Sequence, residues 1–388
     1  MTPAPEIELA GIPVREKRLM SDRMNELLAG VPLIDGHNDL PDALKESAGH
    51  SVAGLESVRP ELQTDIPRLR QGNVGAQFWS LWVPSDLAEA AAVVATLEQV
   101  DAVYRLMAAY PQVFGFAATA HELEQVRASG RIASLMGIEG GHSIAESLGT
   151  LRMFARLGVR YMTLTHNDDT SWAASATGLR QTTGLSETGR EIVAEMNRIG
   201  MIVDLSHTSE STQLDALATT TAPVIFSHSS ARAVLDHPRN VSDLVLEKLA
   251  GNGGVLQVTF VPGFVSEPFL TWEYQRVDVE AEQGPDGLAR WLAENPQPEA
   301  TITDVADHVE HARAVAGVDH IGIGGDFDGT TVQPAGLEDV STYPALFDEL
   351  ATRGWSAGDL QKLAGRNILR VMRAVEDAAS EPLWPGSS

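Results

Sequence analysis

The sequence predicts a (β/α)8 TIM barrel. Eight short apolar runs alternate for the most part with segments whose apolar residues recur at helical spacing, and polar side chains follow several of these runs directly. The first run is followed by Asp-Gly-His-Asn-Asp rather than by a glycine-rich phosphate fingerprint. Alternating strands and helices imply a parallel sheet. Eight repeats without that fingerprint fit a closed barrel better than an open, doubly wound sheet.

Strands are predicted at apolar runs, which in chain order span residues 31–34, 74–83, 132–138, 159–165, 201–205, 223–226, 255–260 and 320–325. Helices are predicted where apolar residues lie three and four apart, over residues 86–110, 148–157, 186–199, 209–218, 242–250, 287–294, 302–316, 343–352 and 357–374. The helix at 186–199 has clear ends, because Ser186 precedes an acidic first turn and Gly200 follows the last apolar residue. Residues 42–72 are predicted to be a polar connection.

The expected domain organisation is simple. Residues 1–30 form an N-terminal segment with a short helix over 21–30, residues 31–375 form one catalytic barrel, and residues 376–388 form a C-terminal tail. A long excursion with several prolines interrupts the barrel at 261–302.

The composition excludes several classes of partner. There are 53 acidic and 28 basic residues, for a net charge of -25, which argues against binding to nucleic acid or to an anionic membrane. The absence of cysteine excludes disulfides, a thiolate nucleophile and a cysteine-ligated zinc site. Neither a signal-peptide core nor an apolar run of about 20 residues is present, so the expected location is the cytoplasm.

The first strand ends in a candidate half of a metal site. Residues two apart in a strand point to the same side, so His37 and Asp39 are expected to project together where the strand stops. A turn rich in Asp and Asn is the alternative interpretation of this stretch alone. Three later histidines also follow predicted strands, and so do two further carboxylates. The candidate site therefore comprises His37, Asp39, Glu139, His166, His207, His228 and Asp326.

In a parallel barrel these positions share one mouth, where the catalytic residues of this fold lie. Carboxylates gathered in one pocket repel each other and raise each other's pKa, and divalent cations remove that penalty. Four imidazoles and three carboxylates exceed what one tetrahedral zinc uses, so a two-metal site is predicted with Glu139 as the bridge. His142, three residues past Glu139, is an additional candidate ligand. The remaining histidines are expected to have surface or packing roles.

The motifs resemble the membrane dipeptidase (renal dipeptidase) family of the amidohydrolase superfamily. The resemblance runs in the same order from about residue 31 to residue 370. It rests on His37-Asn38-Asp39, Gly137-Ile138-Glu139-Gly140-Gly141-His142, Leu164-Thr165-His166-Asn167, Asp204-Leu205-Ser206-His207-Thr208, Ser227-His228-Ser229-Ser230-Ala231-Arg232, His237-Pro238-Arg239-Asn240 and Gly325-Asp326-Phe327-Asp328-Gly329.

The resemblance implies a zinc-dependent dipeptidase with two Zn2+ per chain. It implies that His37 and Asp39 bind one zinc, that His207 and His228 bind the other, and that Glu139 bridges them. A metal-bridging hydroxide would attack the peptide carbonyl. His166 would lie near that carbonyl, Arg239 would bind the substrate carboxylate, and Asp326 would transfer the proton.

Further properties come from the resemblance as expectations. The family accepts D-residues at the C-terminal position, and many of its members are dimers, so a homodimer is one expectation here. Mammalian members are secreted, disulfide-linked and lipid-anchored, and this sequence departs from all three properties. Two other functions compete with the dipeptidase: hydrolysis of another small amide or lactam with a free carboxylate, and metal binding without catalysis. The presence of Asp326 argues against the latter.

Overall fold

The computed structural model describes residues 30–381 and contains nine parallel strands. The helix predicted over residues 21–30 lies outside the described residues, apart from Gly30. The strands are β1 Leu33–Asn38, β2 Val74–Trp82, β3 Phe114–Phe116, β4 Ile132–Glu139, β5 Val159–Thr163, β6 Ile202–Asp204, β7 Ile225–Ser229, β8 Val255–Val258 and β9 Ile321–Ile323.

Eight of these strands close into a barrel, which confirms the predicted fold class. The hydrogen-bonded order runs β2-β1-β9-β8-β7-β6-β5-β4, and β2 pairs with β4 to close the ring. The closing register matches Ala76 with Ala133 and continues to Trp82 opposite Glu139. The ninth strand, β3, pairs with the beginning of β4.

Helices connect the strands, as a parallel sheet requires. Their bounds are α1 Leu40–Ala48, α2 Ile66–Gln71, α3 Glu89–Ala109, α4 Ala120–Ala128, α5 Leu148–Arg156, α6 Glu187–Ile199, α7 Glu210–Thr219, α8 Asp243–Asn252, α9 Pro262–Val265, α10 Glu267–Glu294, α11 Ile302–Ala316, α12 Tyr343–Thr352, α13 Ala357–Gln361 and α14 Asn367–Ala378. The ends of α6 follow the predicted signals: Ser186 Oγ accepts from the N–H of Gly189, and Gly200 closes the helix with a φ of 76°.

Three parts of the chain differ from the sequence prediction. The connection at 42–72 contains α1 and α2, and the unpredicted β3 and α4 lie between the second and third predicted strands. The excursion at 261–302 contains the short helix α9 and then α10 from Glu267, although a helix was expected only from residue 287. Prolines suggested a loop there, but Pro268 lies in the first turn of α10, where proline costs no hydrogen bond. Pro285 follows a kink at Gly284.

The barrel interior changes character along its axis. Alternate residues of a strand share a face. On β2 and β4 one face begins with Ala76, Phe78, Ala133 and Leu135, which belong to a buried apolar cluster. The same face continues toward the carboxyl ends of the strands with Ser80 and Glu139. The apolar end provides a rigid floor, and the polar end opens at the mouth where the candidate site lies.

Candidate metal centre

All seven strand-end candidates are gathered at the carboxyl end of the barrel. Glu139 is the last residue of β4, and His37 and His228 are the second-to-last residues of β1 and β7. The others follow their strands by one to three residues. Each is buried or nearly so: His37 is fully buried, and the Asp326 side chain is 14% exposed. Parallel strands bring these groups together although the chain separates them by up to 289 positions, from 37 to 326.

Glu139 lies at the centre of the cluster and uses its two oxygens differently. Oε2 is 3.4 Å from Nε2 of His37, whereas Oε1 is 2.9 Å from Nε2 of His207 and 3.3 Å from Nε2 of His228. Nε2 of His166 is 3.8 Å from the same Oε1. One carboxylate therefore faces imidazoles at both of its oxygens.

A carboxylate pair completes the side of the cluster that contains His37. Nε2 of His37 is 3.4 Å from Oδ2 of Asp39 and 3.9 Å from Oδ1 of Asp326. Gly329 packs against both carboxylates, because a Cβ at this position would lie 2.4 Å from Oδ1 of Asp326 and from Oδ2 of Asp39. A side chain at 329 would therefore push the two acids out of place.

Two site residues adopt backbone conformations that L-residues rarely use. The φ angles are 63° at His207 and 61° at Asp326. Such conformations cost on the order of 1 kcal/mol each and persist only where the surroundings impose them. Here they turn the chain sharply after β6 and β9, so that both side chains point back into the mouth.

The electrostatics of the cluster are those of groups removed from water. Burial lowers the pKa of His207 and His228 well below the ordinary range, so both imidazoles are neutral. Burial and then the nearby charge of Asp39 raise the pKa of Asp326 well above that of a free carboxyl. Burial opposes the charge of Glu139 as well, but His37 and the other imidazoles hold its pKa well below normal.

These side chains fit divalent cations. Three groups of ligand atoms lie within 4.8 Å of one another: His37 with Glu139 and His228, Glu139 with His166 and His207, and His37 with Asp39 and Asp326. Nε2 of His37 and Oδ1 of Asp39 are buried and have no hydrogen-bond partner among the described residues. Nε2 of His207 and Nε2 of His228 are only 2.9 Å apart. Imidazoles and carboxylates in this arrangement are zinc-type ligands.

Arg239 lies beside this cluster with unused hydrogen-bonding capacity. Its guanidinium is buried; Nη2 donates to the carbonyl of His228 (3.1 Å), and Nε has no hydrogen-bond partner among residues 30–381. The guanidinium carbon is 4.9 Å from the centre of the Phe264 ring. Burial lowers the pKa of Arg239 to about 10, so the group is a cation at neutral pH. A buried cation with free donors suits an anionic ligand group.

The sequence prediction missed two neighbours of the cluster. Ser80 Oγ donates to Oε2 of Glu139 (3.1 Å), and Nε1 of Trp82 donates to Nε2 of His166 (3.2 Å). Both lie on β2, and a serine within the apolar run Phe78–Val83 was the available signal. His142 has a different role from the clustered histidines: its Nε2 contacts the carbonyl of Val83 (3.1 Å), and it belongs to none of the three ligand groups found in the described chain.

A (β/α)8 barrel with clustered imidazoles and carboxylates at its carboxyl mouth defines the class of metal-dependent hydrolases. The sequence matches the family model of membrane dipeptidase, peptidase family M19, over residues 21–385. The chain belongs to this family and is a metallo-dipeptidase.

Individual relatives agree with the family assignment. An uncharacterized dipeptidase of Schizosaccharomyces pombe is 45% identical over 366 residues, covering 90% of this chain and 82% of that protein. A metallo peptidase of Rhodobacter sphaeroides, solved with a phosphinate mimic of the dipeptide L-Ala-D-Ala, is 25% identical with a TM-score of 0.77, covering 89% of this chain and 99% of that one. The probable dipeptidase PvdM of Pseudomonas aeruginosa shares the fold, with a TM-score of 0.82 at 22% identity over 93% of this chain and 100% of that one.

Within residues 30–381, no helix is both long enough and apolar enough to cross a membrane. The cytoplasmic location, the homodimer and the domain limits at residues 30 and 375 stay predictions.

Proposed function

We propose that this enzyme hydrolyses the peptide bond of free dipeptides with two zinc ions, including dipeptides with a D-residue at the C-terminal position. In this proposal His37 and Asp39 bind one ion, His207 and His228 bind the other, and Glu139 bridges them. His166 and Arg239 bind the substrate, and Asp326 transfers the proton.

The observation that carries the proposal is that the two oxygens of the Glu139 carboxylate face different histidines. Its two oxygens face His37 on one side and His207 with His228 on the other, at 2.9–3.4 Å. A carboxylate that served one ion would not need imidazoles at both oxygens. Two ions would also use Nε2 of His37 and Oδ1 of Asp39, which are buried and have no hydrogen-bond partner among the described residues.

When bound, the ions supply a water of lowered pKa and polarise the carbonyl of the scissile bond. Side chains of the protein carry out the remaining steps. His166, oriented by Trp82, donates a hydrogen bond to the carbonyl oxygen as negative charge develops there. Asp326, whose Oδ1 lies 3.9 Å from Nε2 of His37 at the mouth of the barrel, would accept a proton from the attacking water and deliver it to the leaving amine nitrogen.

Arg239 accounts for the preference for dipeptides. Its buried cation lies beside His228 and would pair with the terminal carboxylate of the substrate, which in a dipeptide lies one residue beyond the scissile bond. A longer peptide would have to bring an uncharged amide to this buried cation. The D-residue expectation is supported by the Rhodobacter sphaeroides relative, which was solved with a mimic of L-Ala-D-Ala.

The test is a library of L-L and L-D dipeptides assayed with wild type and His207→Ala, with the metal content of each protein measured in parallel. Wild type is expected to contain two zinc ions and to hydrolyse both stereochemical series. His207→Ala is expected to lose one ion and nearly all turnover. A variant that retains full activity, or an active wild type that contains no metal, contradicts the proposal.

A further inference from the structure

Hydroxyl groups contact the second ring nitrogen of two histidines in the cluster. Nδ1 of His37 is 2.9 Å from the hydroxyl oxygen of Tyr161, and Nδ1 of His228 is 2.9 Å from Oγ of Ser227. Both hydroxyl residues are fully buried. Nδ1 of His207, in contrast, is buried without a hydrogen-bond partner among residues 30–381.

The contacts of Tyr161 determine which atom donates. The Tyr161 hydroxyl lies 3.1 Å from the carbonyl of Gly36, and a carbonyl only accepts. A tyrosine hydroxyl has a single proton, so when that proton is donated to Gly36, His37 must donate from Nδ1 to the tyrosine oxygen. The proton of a neutral His37 ring is then on Nδ1. Its Nε2 presents a lone pair toward Asp39 and Glu139.

The position of the ring proton of His228 follows in the same way from its contact with Ser227 and from the contact of Ser227 with Asp204. Ser227 Oγ donates to Oδ2 of Asp204 (2.6 Å), which also accepts from the hydroxyl of Thr163 (2.5 Å). Oδ1 of Asp204 accepts from the backbone N–H groups of Ser206 and Ser227. A carboxylate with all four acceptor positions used has no proton to give, so Ser227 is left to accept from Nδ1 of His228.

The fold makes room for the contact between Tyr161 and His37. Tyr161 on β5 pairs with Gly137 on β4, and a Cβ at residue 137 would lie 2.0 Å from Cζ of the tyrosine ring. The ring therefore lies across a position where only glycine fits, and its hydroxyl reaches β1. Such a close approach is a reason for glycine inside a strand.

We propose that Tyr161 and the Asp204–Ser227 pair are positioning residues, which hold His37 and His228 in the Nδ1–H tautomer and so keep each Nε2 free to bind a cation. This inference rests on the two-ion centre described under Proposed function. It assigns one hydroxyl to each ion: Tyr161 to the ion of His37 and Asp39, and Ser227 to the ion of His207 and His228.

The experiment measures Zn2+ affinity on the full chain stripped of metal, by chelator competition. Tyr161→Phe and Ser227→Ala each keep the side-chain shape but remove the hydroxyl. Each is expected to weaken one of the two zinc equivalents by about 10–100-fold, the usual effect of losing a partner that orients a ligand. The matched controls are Tyr110→Phe, whose hydroxyl bonds the carbonyl of Val52 far from the centre, and Ser134→Ala, whose buried hydroxyl has no partner within residues 30–381.

Double variants assign each effect to its ion. Tyr161→Phe is expected to add less than about threefold in a His37→Ala background, because its partner is already gone, and Ser227→Ala is expected to behave likewise in His228→Ala. In zinc-loaded protein with 15N-labelled histidine, Tyr161→Phe should shift the Nδ1–H resonance of His37 and leave that of His228 in place. Ser227→Ala should do the reverse.

The outcomes separate this inference from the proposed centre. If His37→Ala leaves the zinc content of the protein unchanged, the proposed centre is wrong and the positioning inference falls with it. If His37→Ala removes an ion while Tyr161→Phe and Ser227→Ala bind zinc as wild type does, the centre stands and the positioning inference is overturned. Equal weakening of both ions by each hydroxyl variant also overturns it, because that result indicates a general loss of packing.

Discussion

Replacing Arg239 with methionine is expected to remove most of the enzyme's discrimination between a dipeptide and its C-terminal amide. Arg239 is 5% exposed, and its Nε lacks a hydrogen-bond partner in the described part of the chain. An unsatisfied buried donor costs about 1–3 kcal/mol, which a substrate carboxylate would relieve. Methionine keeps an unbranched stem but removes the guanidinium that lies over the Phe264 ring, and with it the charge and all five donors.

The size of the effect follows from the contacts that Arg239 can make. Two charge-assisted hydrogen bonds of about 1.5 kcal/mol each give about 3 kcal/mol. At 1.36 kcal/mol per tenfold in rate, this corresponds to roughly 150-fold in kcat/KM. Wild type should therefore prefer L-Ala-L-Ala to L-Ala-L-alaninamide by about this factor, and in Arg239→Met the preference should fall below about tenfold.

The assay is the ratio of kcat/KM for the two substrates, which cancels any general loss of active protein. Arg232→Met is the matched control, because Arg232 lies in the same segment but pairs with Glu210 (3.2 Å). It should keep the wild-type ratio. If Arg239→Met discriminates as strongly as wild type, Arg239 does not bind the carboxylate and the reasoning is refuted.

Three further predictions concern stability. Gly137→Ala should lower the free energy of unfolding by about 1–3 kcal/mol in urea titrations, because its Cβ would overlap the Tyr161 ring. Gly251→Ala is the control, because nothing lies within 4 Å of the Cβ that it would add. Equal losses of stability in the two variants would contradict an overlap with Tyr161. His308 is buried with a pKa lowered to about 4 from the usual 6.5, so its neutral form contributes stability above pH 6.5 that is lost as the pH falls toward 4. The unfolding free-energy gap between metal-free wild type and His308→Asn should narrow by about 3 kcal/mol from pH 7 to pH 4, and a constant gap would count against this. Chelation of the metal should lower the melting temperature of wild type but not that of the double variant His37→Ala/His207→Ala, because bound ions stabilise the folded state by mass action; an unchanged wild-type transition would contradict a metal-loaded fold.

Local patterns were sufficient to predict most of the fold. The predicted helices at 302–316 and 343–352 match α11 and α12 at both ends, since an amphipathic period, and for α11 a capping residue, are encoded within a few neighbouring positions. The unpredicted α4 has few buried apolar residues, namely Ala120, Leu123 and Val126, and so has little periodic signal. Its cap at Thr119, which accepts from the N–H of Glu122, was the available clue.

For the candidate site, too, the sequence predicted some properties and not others. Every strand-end candidate was identified from its position after an apolar run, because the end of a strand and the polar residue that follows it are local properties. The contacts of these residues were not identifiable in this manner. His142 and Glu139 are three residues apart, yet Glu139 lies at the centre of the cluster, whereas His142 contacts the carbonyl of Val83.

The sequence by itself therefore determined the barrel, the kind of ligand available to a metal, and the order in which those ligands occur. The absence of cysteine limited the ligands to imidazoles and carboxylates, and the alternation of strands and helices placed them at one mouth. Only the tertiary structure decided that the two oxygens of Glu139 face two sets of histidines. It also decided that the hydroxyl groups of Tyr161 and Ser227 contact Nδ1 of His37 and Nδ1 of His228. The contacts of Glu139 and Tyr161 join residues on different strands, and their distances depend on how the barrel closes, which no local stretch of the chain encodes.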